Sequence, residues 1–223
     1  MRSKFYYQGG NIIVANAIKD YLNSLSNFIS PEIADSTRAI GDALQFHVAQ
    51  KLESLLGNWC REYSKDFARR AMADIAFTDI EDIYSIIDVK TQRKDTHFNM
   101  PNLTSVERLS RLYESDVNVF SLIIIKYSVK GTNVNISDVL FVPIEFIDWE
   151  CLTIGALGWG QIQIANANNI KILPQNSRRD WMLKLCDALM LFYPREIEKI
   201  TDRIQRFEDV KLFWENKKDV WMK

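Results

Sequence analysis

The chain has 223 residues, of which 47% are hydrophobic, 26% charged and 12% aromatic, and its formal net charge at pH 7 is -1. This composition predicts a globular chain with a single domain over residues 1–223, and it excludes a protein with an overall cationic field. Three scattered cysteines exclude a disulfide framework and favour a reducing cytoplasm. Without a long apolar stretch, we expect neither secretion nor a membrane span.

Helical periodicity dominates the first quarter of the chain. It predicts two amphipathic helices, at residues 11–28 and 36–56, with a break at Ser30-Pro31. From Ala73 the pattern changes to short runs rich in β-branched and aromatic residues, which are typical of buried strands. These runs are DIAF, IYSIIDV, VFSLIIIKYSV and VLFVPIEFI.

The remaining predicted elements are one more strand and three helices, the first of which interrupts the strand runs. A helix is expected from about Thr104 to Tyr113, because Thr104 and Glu107 have the spacing of a capping box. The segment GQIQIANANNIKIL alternates like a strand, and Pro194 is expected to separate two final helices. The order predicts an α/β fold, more strictly α+β, with a mixed central sheet flanked by helices.

Two charges interrupt the end of the buried run YSIIDVKTQRK. Asp88 and Lys90 are two residues apart on a strand, so their side chains leave on the same face, and Val89 points the other way. Asp74 begins the preceding run, and the polar TDIED segment between the runs could turn the chain. Asp74 and Asp88 would then face each other on antiparallel strands.

Two close carboxylates and a lysine suit the hydrolysis of a phosphodiester. Mg2+ prefers one or two carboxylates with water and phosphate oxygens, so Asp74 and Asp88 would bind it, together with the backbone carbonyl of Val89. Lys90 would orient or activate the attacking water. The alternative is structural, because acid-x-Lys tripeptides are common at strand edges.

This combination resembles the PD-(D/E)xK nuclease superfamily, with Ala73-Asp74 standing where Pro-Asp is usual and Asp88-Val89-Lys90 as the second half. The motifs ADIAF, YSIIDVKTQ, MPNLTS and GQIQI before RRDWMLKLCDAL are most similar to type II restriction endonucleases related to HincII. The resemblance covers roughly residues 40–215. It implies a restriction-endonuclease-like fold and a homodimer that cuts a short palindrome in double-stranded DNA with Mg2+.

A third acidic group is left open by the sequence. Many members of the superfamily place a glutamate on the preceding helix, four residues after a glycine, and that spacing from Gly41 reaches Gln45. Either Gln45 contributes a polar group that holds water, or Asp42 or Glu53 is the acid nearest to the metal. The number of metal ions, the bases read and a blunt or staggered cut are also left open.

Two polar segments are candidates for the DNA-binding surface. The first, TQRKDTHFNMPN, offers cations for phosphates and amides for bases. Its candidate residues are Gln92, Arg93, Lys94, His97, Asn99 and Asn102. In the second, IGALGWGQIQIANANN, glycines allow close backbone approach and amides alternate along a strand. Its candidates are Gly155, Gly158, Gly160, Gln161, Gln163, Asn166 and Asn168. For each segment the alternative is a solvated loop or bend.

For some other polar and aromatic residues, the sequence allows both a functional and a structural role. Arg178 and Arg179 begin a predicted helix, where they could hold a phosphate or form an ordinary surface pair. Trp149, Trp159 and Trp214 are candidates for the dimer contact. The rival functions are a repair nuclease of the same superfamily that ignores base sequence, and a DNA-binding protein without catalysis.

Overall fold

The computed structural model describes residues 3–25, 29–65, 74–96, 101–165 and 169–217. These residues form a mixed α/β fold with a five-stranded and a three-stranded sheet flanked by helices, which confirms the predicted fold class. The chain separates into two compact units, residues 1–178 and 179–223, and the single-domain assignment stays a prediction. Of the residues singled out by number above, Ala73, His97, Asn99, Asn166 and Asn168 lie outside the described ranges.

Five α-helices occur in the described residues. They are α1 (Lys4–Tyr7), α2 (Gly10–Ser24), α3 (Thr37–Leu56), α4 (Val106–Leu112) and α5 (Arg178–Asn216). Helix α3 begins where the Ser36 hydroxyl accepts a hydrogen bond from the Ala39 N–H, the usual satisfaction of a free N-terminal donor. Helices α2 and α3 match the two predicted at the start of the chain. None of the described helices has the length and apolarity needed to cross a bilayer.

The strands form two sheets. The strands are β1 (Cys60–Ser64), β2 (Ile75–Asp79), β3 (Tyr84–Arg93), β4 (Asn102–Ser105), β5 (Asn118–Lys130), β6 (Asn133–Pro143), β7 (Leu152–Gly155) and β8 (Gln161–Ile164). The larger sheet has the order β1-β2-β3-β5-β6, in which β3 and β5 are parallel and the other neighbours antiparallel. The smaller sheet has the order β4-β8-β7 and is antiparallel. The predicted runs DIAF, IYSIIDV and VFSLIIIKYSV correspond to β2, β3 and β5, whereas VLFVPIEFI is a strand only up to Pro143, because Ile144–Phe146 form a turn of 3-10 helix.

The turn between β2 and β3 depends on one buried aspartate. The Asp79 carboxylate accepts hydrogen bonds from the backbone N–H of Glu81 and of Ile83, and Asp82 has a positive φ of 62°. An aspartate that bonds the backbone two residues later is a common turn former. The TDIED segment therefore reverses the chain as predicted, and it sets β2 antiparallel to β3.

An aromatic cluster covers one face of the larger sheet. The Phe5 ring lies 5.5 Å from that of Phe77 on β2 and 5.3 Å from that of Phe141 on β6, both edge to face. Beside it, the Tyr6 hydroxyl donates to Ser85 of β3 at 3.1 Å. Helix α1 thus packs on the face of β3 that carries Ser85, which is opposite to the face that carries Asp88.

The predicted capping box at Thr104 is wrong. Thr104 lies in β4 opposite Ile162, and helix α4 begins after Ser105, whose side chain forms no capping hydrogen bond. Pairing with a strand some sixty residues away in sequence takes Thr104 into the sheet, so this long-range contact overrides the local helix signal.

The predicted break at Pro194 is also wrong, because Pro194 lies inside helix α5. Proline removes one backbone donor, but its fixed φ is compatible with a helix, and good helix formers lie within one turn on both sides, such as Met190 and Leu191 before it and Arg195 and Glu196 after it. The last strand is shorter than the alternating pattern indicated, since β8 ends at Ile164.

Candidate active site

Asp88 and Lys90 meet on one face of β3, as predicted. The Lys90 Nζ donates to Asp88 Oδ1 at 2.9 Å. The Asp88 side chain is 8% exposed and that of Lys90 27%. The pair therefore has a buried acid and a lysine that still reaches solvent.

Asp74 lies directly opposite this pair. Ile75 on β2 pairs with Ile87 on β3, so the register places Asp74 opposite Asp88. Two hydrogen bonds fix Asp74, since its N–H donates to the Ile87 carbonyl and its Oδ2 accepts from the Val89 N–H, both at 2.9 Å. The structure therefore brings the two predicted acids to one place.

The Val89 carbonyl belongs to the same site. In an extended strand, the N–H and C=O of one residue point to the same edge. Because the Val89 N–H bonds to Asp74, the Val89 carbonyl also points towards the edge where Asp74 lies. Asp74, Asp88 and Val89 can thus offer three oxygen ligands to one cation.

The electrostatics of Asp88 also favour a bound cation. Burial raises the pKa of the Asp88 carboxyl from its ordinary value to about 7; Lys90 opposes this rise and Asp74 adds to it. Asp88 Oδ2 is buried and has no hydrogen-bond partner among the described residues. A buried carboxylate oxygen of this kind is costly unless a cation or proton meets it, so the site fits Mg2+.

Among the described residues, no third acid joins Asp74 and Asp88. The described residues contain no group of three or more His, Cys, Asp or Glu side chains that could hold a metal. Glu53 instead lies near β1, where it adds to the effect of burial in raising the pKa of Tyr63. In this structure neither Asp42 nor Glu53 completes the site, which agrees with the one or two carboxylates that Mg2+ prefers.

Gln45 lies on the helix face that meets β3. A side chain at Gly41 would come within 2.8 Å of the Thr91 hydroxyl on β3, and Gln45 is one turn further along the same face of α3. Gln45 is half-buried. The water-holding role suggested for Gln45 by the sequence stays a prediction.

The first residues of the polar segment after Lys90 belong to a strand. Strand β3 continues to Arg93, and Gln92 shares the face of Asp88 and Lys90 but is only 3% exposed. The Arg93 guanidinium donates to the Asp95 carboxylate at 2.7 Å, whereas Lys94 is exposed. Lys94 is therefore available to a phosphate, and DNA contacts by Gln92 and Arg93 stay predictions that require these side chains to move.

The smaller sheet joins the two polar segments. Gln161 and Gln163 alternate on β8 with the buried Ile162 and Ile164. The Gln163 Nε2 donates to the Asn102 Oδ1 of β4 at 2.5 Å. One sheet face, which we call the amide face, therefore carries Asn102, Gln161 and Gln163. The predicted alternation of Gln161 and Gln163 is confirmed, but the contact with Asn102 was not visible in the sequence.

Glycines shape the turn before the amide face. Gly158 and Gly160 have φ values of +59° and +122°, which glycine adopts far more readily than other residues. A side chain at Gly155 would lie 2.7 Å from the Gln163 side chain, so this glycine makes room for an amide. Close approach of DNA to Gly158 and Gly160 stays a prediction.

Arg178 belongs to a buried polar cluster. Its Nε donates to Glu145 Oε1 at 3.0 Å, its guanidinium lies 4.2 Å from the centre of the Tyr113 ring, and the Tyr113 hydroxyl donates to Glu145 Oε2 at 2.8 Å. Sequence analysis missed Glu145 and Tyr113, although an acid inside the apolar run VLFVPIEFI was a signal. Arg178 thus neutralises a buried acid, which argues against the phosphate role considered above.

A scan against protein-family models found no family that matches this chain, and a search of curated proteins found no similar protein. The likeness to PD-(D/E)xK nucleases therefore stays a resemblance between short motifs. What the structure adds is the position of Asp74, Asp88 and Lys90 relative to one another.

Proposed function

We propose that the chain is a Mg2+-dependent endonuclease of the type II restriction kind, which hydrolyses phosphodiester bonds in double-stranded DNA at a short palindrome. The observation that carries the proposal is the convergence of Asp74, Asp88 and Lys90, linked by the bonds from Val89 to Asp74 and from Lys90 to Asp88. The DNA substrate, the palindrome and the homodimer come from the motif resemblance, and a cytoplasmic location comes from the three scattered cysteines.

Asp74, Asp88 and the Val89 carbonyl would hold the metal. Bound Mg2+ supplies positive charge that neutralises the phosphate and makes water a better nucleophile. Asp88 must be ionised for this role, and its raised pKa makes a proton the competitor of the metal. Asp74 is oriented by the Val89 N–H, so its carboxylate is fixed before DNA binds.

Lys90 would act on water and on the phosphate. Its ammonium is held 2.9 Å from Asp88 and is partly exposed, so it can contact a molecule that enters from solvent. A cation at this point orients the attacking water and stabilises the negative charge that grows on the phosphate in the transition state.

The amide face would read bases. Asn and Gln side chains bond bidentately to adenine in the major groove, and Asn102, Gln161 and Gln163 lie together on one face of a sheet. Lys94 would contact a phosphate without reading sequence. In a homodimer the face would occur twice, which suits a palindrome.

Digestion of a fully sequenced plasmid tests this proposal. The purified chain is incubated with the plasmid in Mg2+ or in EDTA, and the fragment ends are sequenced. We expect discrete fragments that share one palindrome and form only with Mg2+. A smear would favour the repair nuclease, and uncut DNA that is nevertheless bound would favour the protein without catalysis.

A further inference from the structure

Helix α5 carries an exposed stripe with an unusual regularity. Its positions are separated alternately by three and four residues, and all of them are exposed to solvent. We call this set the seam: Leu183, Cys186, Met190, Tyr193, Ile197, Ile200, Ile204, Phe207, Lys211 and Trp214. Lys211 is the one charged residue in the set.

This spacing has a specific physical meaning. Apolar residues that repeat every 3.5 residues over several heptads form the a and d positions of a left-handed coiled coil. A helix that packs on a globular core instead shows a wider stripe of period 3.6. The seam therefore fits a partner helix with the same repeat, and a second copy of the chain supplies one.

The surface of the seam is shaped for such packing. In a coiled coil, each a or d side chain enters a hole formed by four residues of the facing helix. The helix has a depression that combines seam residues with their neighbours at the e and g positions. The depression is lined by Ile200, Arg203, Ile204, Phe207, Glu208 and Lys211.

We propose that the seam pairs with the seam of a second copy in a parallel, in-register coiled coil. In that arrangement each g position faces the e position five residues later in the other helix. Arg203, at a g position, then faces Glu208, at an e position, and their opposite charges attract. None of the other g–e pairs along the seam joins two charged residues. The antiparallel arrangement with full overlap instead sets Asp187 against Glu208, two like charges, which offset the attraction between Glu196 and Arg203 at its g positions.

Lys211 fits the parallel arrangement as a register signal. A polar residue at a single a position specifies register and oligomeric state at some cost in stability. The Lys211 ammonium lies 3.8 Å from Glu215 of the same helix, which offsets part of the repulsion between two facing lysines. This inference deepens the proposed homodimer and rests on that part of the proposed function alone.

The oligomeric state of the full chain tests the seam. The substitution Ile197→Glu puts a charge at the centre of the seam, and Leu191→Glu is the matched control, since the two residues are 65% and 67% exposed but Leu191 lies outside the seam. In sedimentation experiments we expect a wild-type dimer, a dissociation constant raised roughly a hundredfold or more by Ile197→Glu, and little change for Leu191→Glu. A wild-type monomer, or a dimer that Ile197→Glu does not weaken, overturns the proposal.

Cys186 provides a test of direction. A parallel in-register pair places the two Cys186 side chains beside each other at a d layer, whereas the antiparallel pair sets Cys186 against Lys211. With diamide as the oxidant we expect a disulfide-linked dimer that disappears in Cys186→Ser, in which Cys60 and Cys151 remain. A dimer that forms no Cys186 crosslink overturns the parallel arrangement.

Plasmid cleavage in the same samples separates this inference from the nuclease proposal. If the wild type is a monomer and cuts the plasmid, the pairing of the seam is overturned and the nuclease proposal stands. If the wild type is a dimer that Ile197→Glu dissociates, and it does not cut the plasmid, the nuclease proposal is overturned and the pairing of the seam is supported.

Discussion

Asp88 is a residue at which the proposed activity and the stability of the fold conflict. Its carboxylate is buried beside Asp74, and one of its oxygens has no hydrogen-bond partner among the described residues. A buried group of this kind costs folding free energy, but the same property prepares it for a divalent cation. The site is thus expected to lower the stability of the metal-free protein.

We predict that Asp88→Asn stabilises the metal-free protein at pH 8. Burial raises the pKa of Asp88 from 3.8 to about 7, so between these values the folded chain holds a proton that the unfolded chain has released. Stability therefore falls as the pH rises from about 4 to 7. The uncharged variant avoids this loss, and its free energy of unfolding should exceed that of the wild type by about 2–4 kcal/mol at pH 8.

Urea denaturation at several pH values measures this difference, with EDTA present. The gain should shrink as the pH falls below 7 and vanish near 4. Mg2+ should then stabilise the wild type at pH 8 and leave Asp88→Asn unchanged, since binding to the folded state alone stabilises it. A variant that is less stable than the wild type at pH 8 would show that Asp88 is a structural partner of Lys90.

At the scale of elements, Arg178 has a structural role at the start of α5. The Glu145 side chain that it neutralises is 5% exposed, and the guanidinium also stacks on Tyr113. Removing one partner of a buried ion pair leaves the other charge uncompensated, which is strongly destabilising. Arg178 therefore has a structural role that its neighbour Arg179 does not share.

We predict that Arg178→Ala lowers the free energy of unfolding by about 2–4 kcal/mol. The matched control is Arg179→Ala, which should change it by less than about 0.5 kcal/mol, because the Arg179 side chain is 82% exposed and that of Arg178 only 25%. Thermal or urea unfolding of the wild type and both variants measures these changes in the free energy of unfolding. Equal losses in the two variants would contradict a structural role specific to Arg178.

The amide face gives a prediction about DNA recognition. If Gln161 bonds to a base, Gln161→Ala should weaken binding to the target palindrome by about 1–3 kcal/mol and leave binding to unrelated DNA unchanged. Asn135→Ala is the control, since Asn135 is an exposed amide on β6. Fluorescence anisotropy with Asp88→Asn as background avoids cleavage during the measurement. Equal weakening on both DNAs would mean that Gln161 contributes no base reading.

The sequence was sufficient for the parts of the fold that depend on local patterns. Strand alternation placed Asp88 and Lys90 on one face, and a polar turn placed Asp74 opposite Asp88. Both steps need only the period of a strand and the chemistry of a short turn. The core of the candidate site was therefore predictable.

Features that depend on distant contacts were not predictable. Thr104 carries a helix signal but pairs with Ile162, and Asn102 meets Gln163 across the small sheet. The partner of Glu145 is Arg178, which lies 33 residues further along the chain. Strand register and long-range ion pairs have no local sequence signature, so only the structure reveals them.

For the whole molecule, net charge limits how the chain would bind DNA in the proposed function. The net charge of -1 provides no overall attraction to phosphates, so such binding would depend on local contacts. Two copies joined through α5 would double these contacts. A catalytic site in each copy would then act on one strand of the palindrome.

Cleavage by matched single-charge variants tests whether Asp74, Asp88 and Lys90 form the catalytic site. The wild type, Asp88→Asn and the control Asp42→Asn, which removes an exposed acid of α3, are compared on one plasmid at pH 8 with Mg2+. We predict that the wild type and Asp42→Asn cut at the same sites, and that Asp88→Asn binds the plasmid but cuts it at least about a hundredfold more slowly. Unchanged cutting by Asp88→Asn would contradict the assignment of Asp74, Asp88 and Lys90 as the catalytic site.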